Sequence, residues 1–199
     1  MRSFHPEKVP LPPDFAPLAI DPARPLDIEI GCGVGLHPLR YARANPERDL
    51  IAFERTSDKF EKFKGRLKTH PLLPNLRPVH GDAIAWITHG IPARSVDQYF
   101  LLYPNPYPKE GQRNLRFHEM PFFSQIKATL KPGGLFTVAT NERFYAEESK
   151  VRMIETWGFQ LVSEEVLGSD FVARTHFEKK YLARGLACWN QVFSLAAPA

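Results

Sequence analysis

Three carboxylates, a glycine loop and an asparagine set among prolines are the residues of this chain that could do chemistry. Glu29-Ile-Gly31-Cys-Gly33-Val-Gly35 turns an apolar run into a helical one. Glycines at Gly31, Gly33 and Gly35 would let the backbone approach a ligand closely. A dinucleotide fingerprint needs its third glycine at position 36, where this chain has Leu36, which argues against a pyrophosphate. Glu54 and Asp82 close two later apolar runs. A carboxylate at Glu54 can accept two hydrogen bonds from a ribose diol, and Asp82 can accept from an adenine amino group. Glu29 adds an acid ahead of the loop, which favours a cationic ligand and repels a pyrophosphate. Glu54 and Asp82 could instead be simple helix caps. Three acids at three successive strand ends favour S-adenosylmethionine over that reading.

The second constellation is Tyr103-Pro-Asn-Pro-Tyr-Pro-Lys109, directly after the apolar run Tyr99-Phe-Leu-Leu102. Three alternate prolines fix φ and remove three donors, which predicts a stiff extended segment presenting Asn105 at a strand end. Tyr103 and Tyr107 suit either stacking on a flipped base or packing. Arg113 and Arg116 suit phosphate contacts or a solvated loop.

Alternating strand-like and helix-like segments must hold these groups. Strands are expected at 26–30, 50–53, 76–79, 96–102 and 135–139, with two closing strands at 159–162 and about 186–193. Helices are expected at 36–44, from Thr56 or Ser57 through Leu67, from 83 through Trp86, at 118–130 and at 142–157. Leu130-Lys-Pro-Gly-Gly134 reads as a helix stop. Such alternation predicts an α/β fold, a Rossmann-like doubly wound sheet that is mostly parallel, with ligands at the carboxyl ends of its strands.

The 199 residues are 43% hydrophobic and 24% charged, the profile of a globular chain of one domain or two small ones. Seven of 19 prolines fall in the first 25 residues. Residues 1–25 are therefore expected to form an extended arm and residues 26–199 one domain. Neither a signal-peptide core nor a membrane-spanning run is apparent, and the two cysteines suggest no metal cluster, so a reduced cytoplasmic setting is expected. A formal charge of +4 permits a polyanionic partner without demanding one. Lys59, Lys62, Lys64, Arg66 and Lys68 share one expected helix, either as such a patch or as a solvated face. His80, His118 and His176 have no ligand set around them in sequence, and no metal is expected.

From residue 26 to 193 the chain resembles the bacterial tRNA (guanine-N7)-methyltransferases. The matching pieces are Glu29-Ile-Gly-Cys-Gly33, Ala44-Asn-Pro46, Glu54, Asn75-Leu-Arg77, Gly81-Asp-Ala83, Ser95-Val-Asp97, Pro104-x-Pro-x-Pro-Lys109, Leu130-Lys-Pro-Gly-Gly134, Ala139-Thr140, Tyr145-Ala146 and Thr175-x-Phe-Glu178. The resemblance implies a class I methyltransferase domain that uses S-adenosylmethionine and acts on tRNA. It implies that Glu29, Glu54, Asp82 and Ala83 contact the cofactor and that Lys109, Thr175 and Glu178 contact the substrate. Asn141 and Arg113 join them as candidate substrate contacts. Asn105 is the candidate catalytic residue, also beside the cofactor.

This chain departs from the family at two acids: Asn105 stands where the family has aspartate, and Thr140-Asn141-Glu142 replaces Thr-Asp-Trp. Guanine N7 carries a lone pair and needs no deprotonation, so catalysis is alignment plus electrostatics. Positive charge moves onto the purine, and a nearby carboxylate favours that. Replacing it with an amide removes up to about 4 kcal/mol at ~4 Å and an effective dielectric near 20, on the order of a thousandfold in rate. Three outcomes stay open. Glu142 or Glu178 supplies the charge; the protein is slow or binds tRNA or cofactor without catalysis; or the target is an exocyclic amine or a small molecule.

Overall fold

The computed structural model describes residues 3–70 and 72–196. Its elements follow the expected alternation: β1 (Leu26–Ile30), α1 (Leu36–Ala44), β2 (Asp49–Glu54), α2 (Ser57–Lys68), β3 (Leu76–His80), α3 (Ala83–Gly90), β4 (Val96–Leu102), α4 (Phe123–Thr129), β5 (Leu130–Thr140), α5 (Arg143–Val151), β6 (Phe159–Leu167), α6 (His176–Leu182) and β7 (Cys188–Leu195). The strands form one sheet in the order β3-β2-β1-β4-β5-β7-β6. All pairs from β3 to β5 are parallel, and β7 runs antiparallel between β5 and β6.

Every residue of β1 is buried, as a strand covered on both faces must be. Tyr99, Phe123, Phe136, Trp157 and Phe159 pack on one face, while Leu39, Leu50, Ala52, Phe60 and Phe63 fill the other beneath α1 and α2. The order reverses between β1 and β4, which opens a crevice at their carboxyl ends. At the opposite, amino end of the strands, the Asn75 amide donates to the carbonyls of Ala42, Asn45 and Arg48 at 2.9, 3.0 and 3.0 Å, closing the α1–β2 loop.

Proline and glycine explain the boundary differences. The helix expected at 118–130 is broken: a 3-10 turn at Phe117–Glu119 precedes Pro121, and α4 starts only at Phe123. Lys131-Pro-Gly-Gly134 does not stop a helix ahead of a separate strand. It is taken up within β5, where pairing jumps from Val96↔Leu130 to Gln98↔Leu135. The helix expected at 142–157 ends at Val151 and continues as a π-helical turn through Thr156, before Gly158 with φ 72°. β6 runs on to Leu167 as the sheet's edge, with Val162 and Val166 exposed. Sequence pattern did not reveal α6.

The leading segment packs against the helices rather than standing free. Phe4 meets Phe122 edge-on at 5.5 Å, Phe15 lies 5.4 Å from Trp86, and Arg77 donates to the Ala19 carbonyl. Among the described residues, no helix is long and apolar enough to cross a membrane.

Candidate active site

A cavity of about 1000 Å³ occupies the crevice at the carboxyl ends of the strands. Glu29, Glu54 and Asp82 all line it, together with Gly31, Gly33, Ala83, Asn105, Asn141, Glu142 and Thr175. Gly35, Lys109, Arg113 and Glu178 are not among its lining residues.

Parallel pairing staggers the acids along three neighbouring strand ends, two residues at each step. Glu29 is level with Ala52 of β2, and Glu54 is level with His80 of β3. The Gly31 and Cys32 amides both donate to the Phe53 carbonyl at 2.9 Å, which folds the glycine loop back over β2. Glu54 then bridges the loop, accepting from Gly33 N at 2.8 Å and Thr56 N at 2.7 Å. A carboxylate has about four acceptor sites, so two remain for a ligand. Asp82 caps α3 by accepting from Ile84 N at 2.9 Å and is otherwise exposed. Capping and cavity lining thus coexist at this residue.

Glu29 is 2% exposed and takes a 2.8 Å hydrogen bond from His37 Nδ1. His37, in the first turn of α1, was not singled out from sequence, because only the fold brings it back to β1. The field of these acids is felt by Cys32: burial, then Glu29 and Glu54, push its thiol well above the ordinary range.

The three loop glycines separate by role. Gly31 and Gly33 have φ of 75° and 61°, and a Cβ on either would meet nothing within 4 Å. Their bare backbone faces the cavity. At Gly35, φ is 78° and a Cβ would lie 1.9 Å from the Phe63 ring, so this glycine is required by core packing.

The proline segment is less uniform than its composition suggests. Tyr103 and Tyr107 each precede a proline and take positive φ, 56° and 45°, which kinks the chain at both ends of Pro104-Asn-Pro106. Asn105 is exposed, and its Oδ1 accepts from Tyr107 N at 3.3 Å. Tyr103 packs inward against Phe177 and Tyr181 of α6, with ring centroids at 6.2 and 5.9 Å. Burial and then the neighbouring Cys188 thiol raise its hydroxyl far above the ordinary tyrosine value. Asn141, which lines the same cavity as Asn105, donates its amide to Glu142 Oε1 at 2.9 Å. Glu142 thus places a carboxylate in the same cavity as the two substituted asparagines.

The remaining candidates sit in supporting networks. Thr175 caps α6, accepting from Glu178 N at 3.0 Å. Glu178 is fully buried and binds Arg174 through its backbone amide and its guanidinium. Lys109 is exposed at the start of a 3-10 turn over Glu110–Leu115. Arg113 pairs with Glu110, Glu119 and Glu148 at 3.6, 3.0 and 3.1 Å. Arg116 is turned inward, away from solvent. It donates to Glu148 at 2.7 Å and to the Tyr107 carbonyl at 3.1 Å, so it braces the proline segment against α5. The fold brings Glu148 beside His118 and its sequence neighbour Glu119, a grouping unseen in sequence. Arg113, Arg116 and Arg152 already hold those two carboxylates, making the cluster an ion-pair hub.

Residues 23–191 match the model of a family described as "Putative methyltransferase". The chain is 32% identical over 166 residues to a tRNA (guanine-N(7)-)-methyltransferase of Nitrosococcus oceani, covering 83% of this chain and 70% of that one. It is 31% identical over 194 residues to the same-named protein of Yersinia enterocolitica, covering 94% and 79%. Among solved structures it is similar to the 16S rRNA methyltransferase KamB, with a TM-score of 0.66 and 20% identity over 87% of this chain and 88% of that one, a likeness of fold. Sheet order, family model and relatives agree: the chain belongs to the tRNA (guanine-N7)-methyltransferase family of S-adenosylmethionine-dependent enzymes.

Proposed function

We propose that this protein methylates N7 of a guanine in folded tRNA, using S-adenosylmethionine, in the cytoplasm. One observation carries the reading: acids from three adjoining strand ends meet Asn105 and Glu142 in a single cavity. The relatives' printed activity supplies the substrate class.

The residues fit the cofactor. Gly31 and Gly33 leave open backbone toward the cavity, Glu54 keeps two free acceptor sites, and Asp82 keeps one oxygen clear of its cap. Glu29, Glu54, Asp82 and Ala83 would hold it. Bound there, S-adenosylmethionine supplies a methyl group on a positively charged sulfur. Glu29 offers the negative charge that a sulfonium and an amino group require.

No base is needed, because N7 presents its own lone pair. The protein must align the purine and stabilise positive charge as it arrives there. Glu142 supplies the carboxylate that Asn105 and Asn141 lack, and Asn141 fixes its direction. Asn105 and Thr175 would contact the base, while Glu178 acts through Arg174 by seating α6. Lys109 and Arg113 would meet the RNA outside the cavity.

The test is transfer of radiolabelled methyl from S-adenosylmethionine to unmodified tRNA, followed by nucleoside digestion. Label in 7-methylguanosine is the expected result. Label in an N-methylated exocyclic amine would overturn the assigned atom. Cofactor uptake without label would leave a binding protein.

A further inference from the structure

The cavity has two electrical ends. Its deep wall carries Glu29 and Glu54, 2% and 4% exposed. Its mouth on the α2 side carries Arg55, Lys59, Lys62 and Arg66. Spacings of three and seven put Lys59, Lys62 and Arg66 on one helix face. Lys64 and Lys68, on the same helix, are not among the cavity's lining residues, and Lys64 is occupied by Glu61 at 2.6 Å. Among the described residues, no carboxylate lies within ion-pair distance of Arg55, Lys59, Lys62 or Arg66.

Across the mouth, Arg66 donates to His176 Nε2 at 2.8 Å, which makes that ring nitrogen an acceptor. Burial and then Arg66, Lys179 and Arg40 hold the His176 pKa below its ordinary value, a mark of concentrated positive charge. Cations without carboxylate partners at the entrance offer a site for a polyanion.

We propose that Lys59, Lys62 and Arg66 form a phosphate-gripping rim that seats the substrate's RNA backbone while the target base enters the cavity. The proposal deepens, and rests on, the reading of tRNA as substrate. From residue 59 to 66 the helix advances about 10 Å, room for more than one phosphate of a strand to meet these side chains. An RNA strand can therefore run along α2. Division of labour follows: the acidic floor accepts the cationic donor, and the basic rim accepts the anionic chain. The rim's contribution should weaken with salt.

The test compares a triple variant, Lys59→Gln with Lys62→Gln and Arg66→Gln, against the control pair Lys64→Gln with Lys68→Gln. Binding of unmodified tRNA is followed by fluorescence anisotropy from low to high salt, and S-adenosylhomocysteine binding by calorimetry. The triple variant should bind tRNA at least tenfold more weakly at low salt. Its slope of log K against log salt should be shallower by about 2, at roughly 0.7–0.9 per lost phosphate contact. Its S-adenosylhomocysteine affinity should move less than twofold. Unchanged tRNA affinity and slope would overturn the proposal, as would an equal loss in the control pair. Loss of S-adenosylhomocysteine binding would also overturn it, by assigning the cations to the donor. If wild-type protein transfers no methyl group yet the rim results hold, the rim stands and the assigned reaction fails.

Discussion

His37 Nδ1 and Glu29 Oε2 lie 2.8 Å apart, with the histidine 5% and the glutamate 2% exposed. A buried carboxylate facing a cavity needs a fixed donor behind it. Removing that donor leaves an unsatisfied charge costing about 1–3 kcal/mol. His37→Ala is therefore expected to lower the melting temperature and weaken S-adenosylmethionine binding roughly tenfold. The loss should be larger for S-adenosylmethionine than for S-adenosylhomocysteine, because only the former carries the sulfonium charge. Calorimetry with both compounds checks this, and equal losses would move Glu29 to the amino group that they share.

Glu142 stands one residue beyond Asn141 and takes its amide hydrogen bond at 2.9 Å. If this acid carries the electrostatic role, Glu142→Gln should slow methyl transfer by about a hundredfold or more. Adding Asn105→Asp to that variant should restore much of the rate. Single-turnover transfer measures both effects free of product release. A Glu142→Gln enzyme of normal speed would show that the site has been rebuilt around amides.

The glycine loop offers a separation of stability from binding. Gly35→Ala drives a methyl into Phe63 and should cost about 1–3 kcal/mol of stability as overpacking, with added backbone strain at φ 78°. Gly33→Ala meets no such obstacle at φ 61° and should fold with a smaller penalty. It should nevertheless lose cofactor affinity. Thermal melts alongside calorimetry distinguish the two.

Acid should weaken the fold in two stages. Burial, against the pull of Glu148, keeps the His118 pKa below its ordinary 6.5. Its Nε2 bonds Glu148, while its buried Nδ1 has no partner and would carry an unmet proton if charged. Glu148 is raised by burial but drawn further down by Arg116 and His118, to a net value below 4.5. Both folded values are depressed, so both stabilise at neutral pH. The His118 share is lost as pH falls below about 6.5, and the Glu148 share as it falls below about 4.5. Urea unfolding at stepped pH should show both declines, and His118→Gln should erase the first.

What the sequence disclosed was what depends on local pattern and on strand ends. Alternation disclosed the parallel sheet, and Glu29, Glu54 and Asp82 could be grouped because each lies at or near the end of an expected strand. The helix expected at 118–130 overlooked Pro121, which delays α4 to Phe123. Other features needed three dimensions. His37 reaches Glu29 only because the glycine loop turns α1 back over β1. The hub of Arg113, Arg116, His118, Glu119 and Glu148 joins residues about thirty positions apart, beyond any window of periodicity. Thr175 and Glu178 were found through resemblance, and their capping and ion-pair work appears only once α6 is seen.

β6 closes the sheet with one side of its backbone unpaired, and on it Glu164 and Glu165 interrupt the exposed Val162 and Val166. Two molecules meeting along these margins would bring glutamates toward glutamates, and like charges in register oppose pairing. Exposed Glu165 thereby opposes edge-to-edge pairing of two copies, which the valines alone would invite.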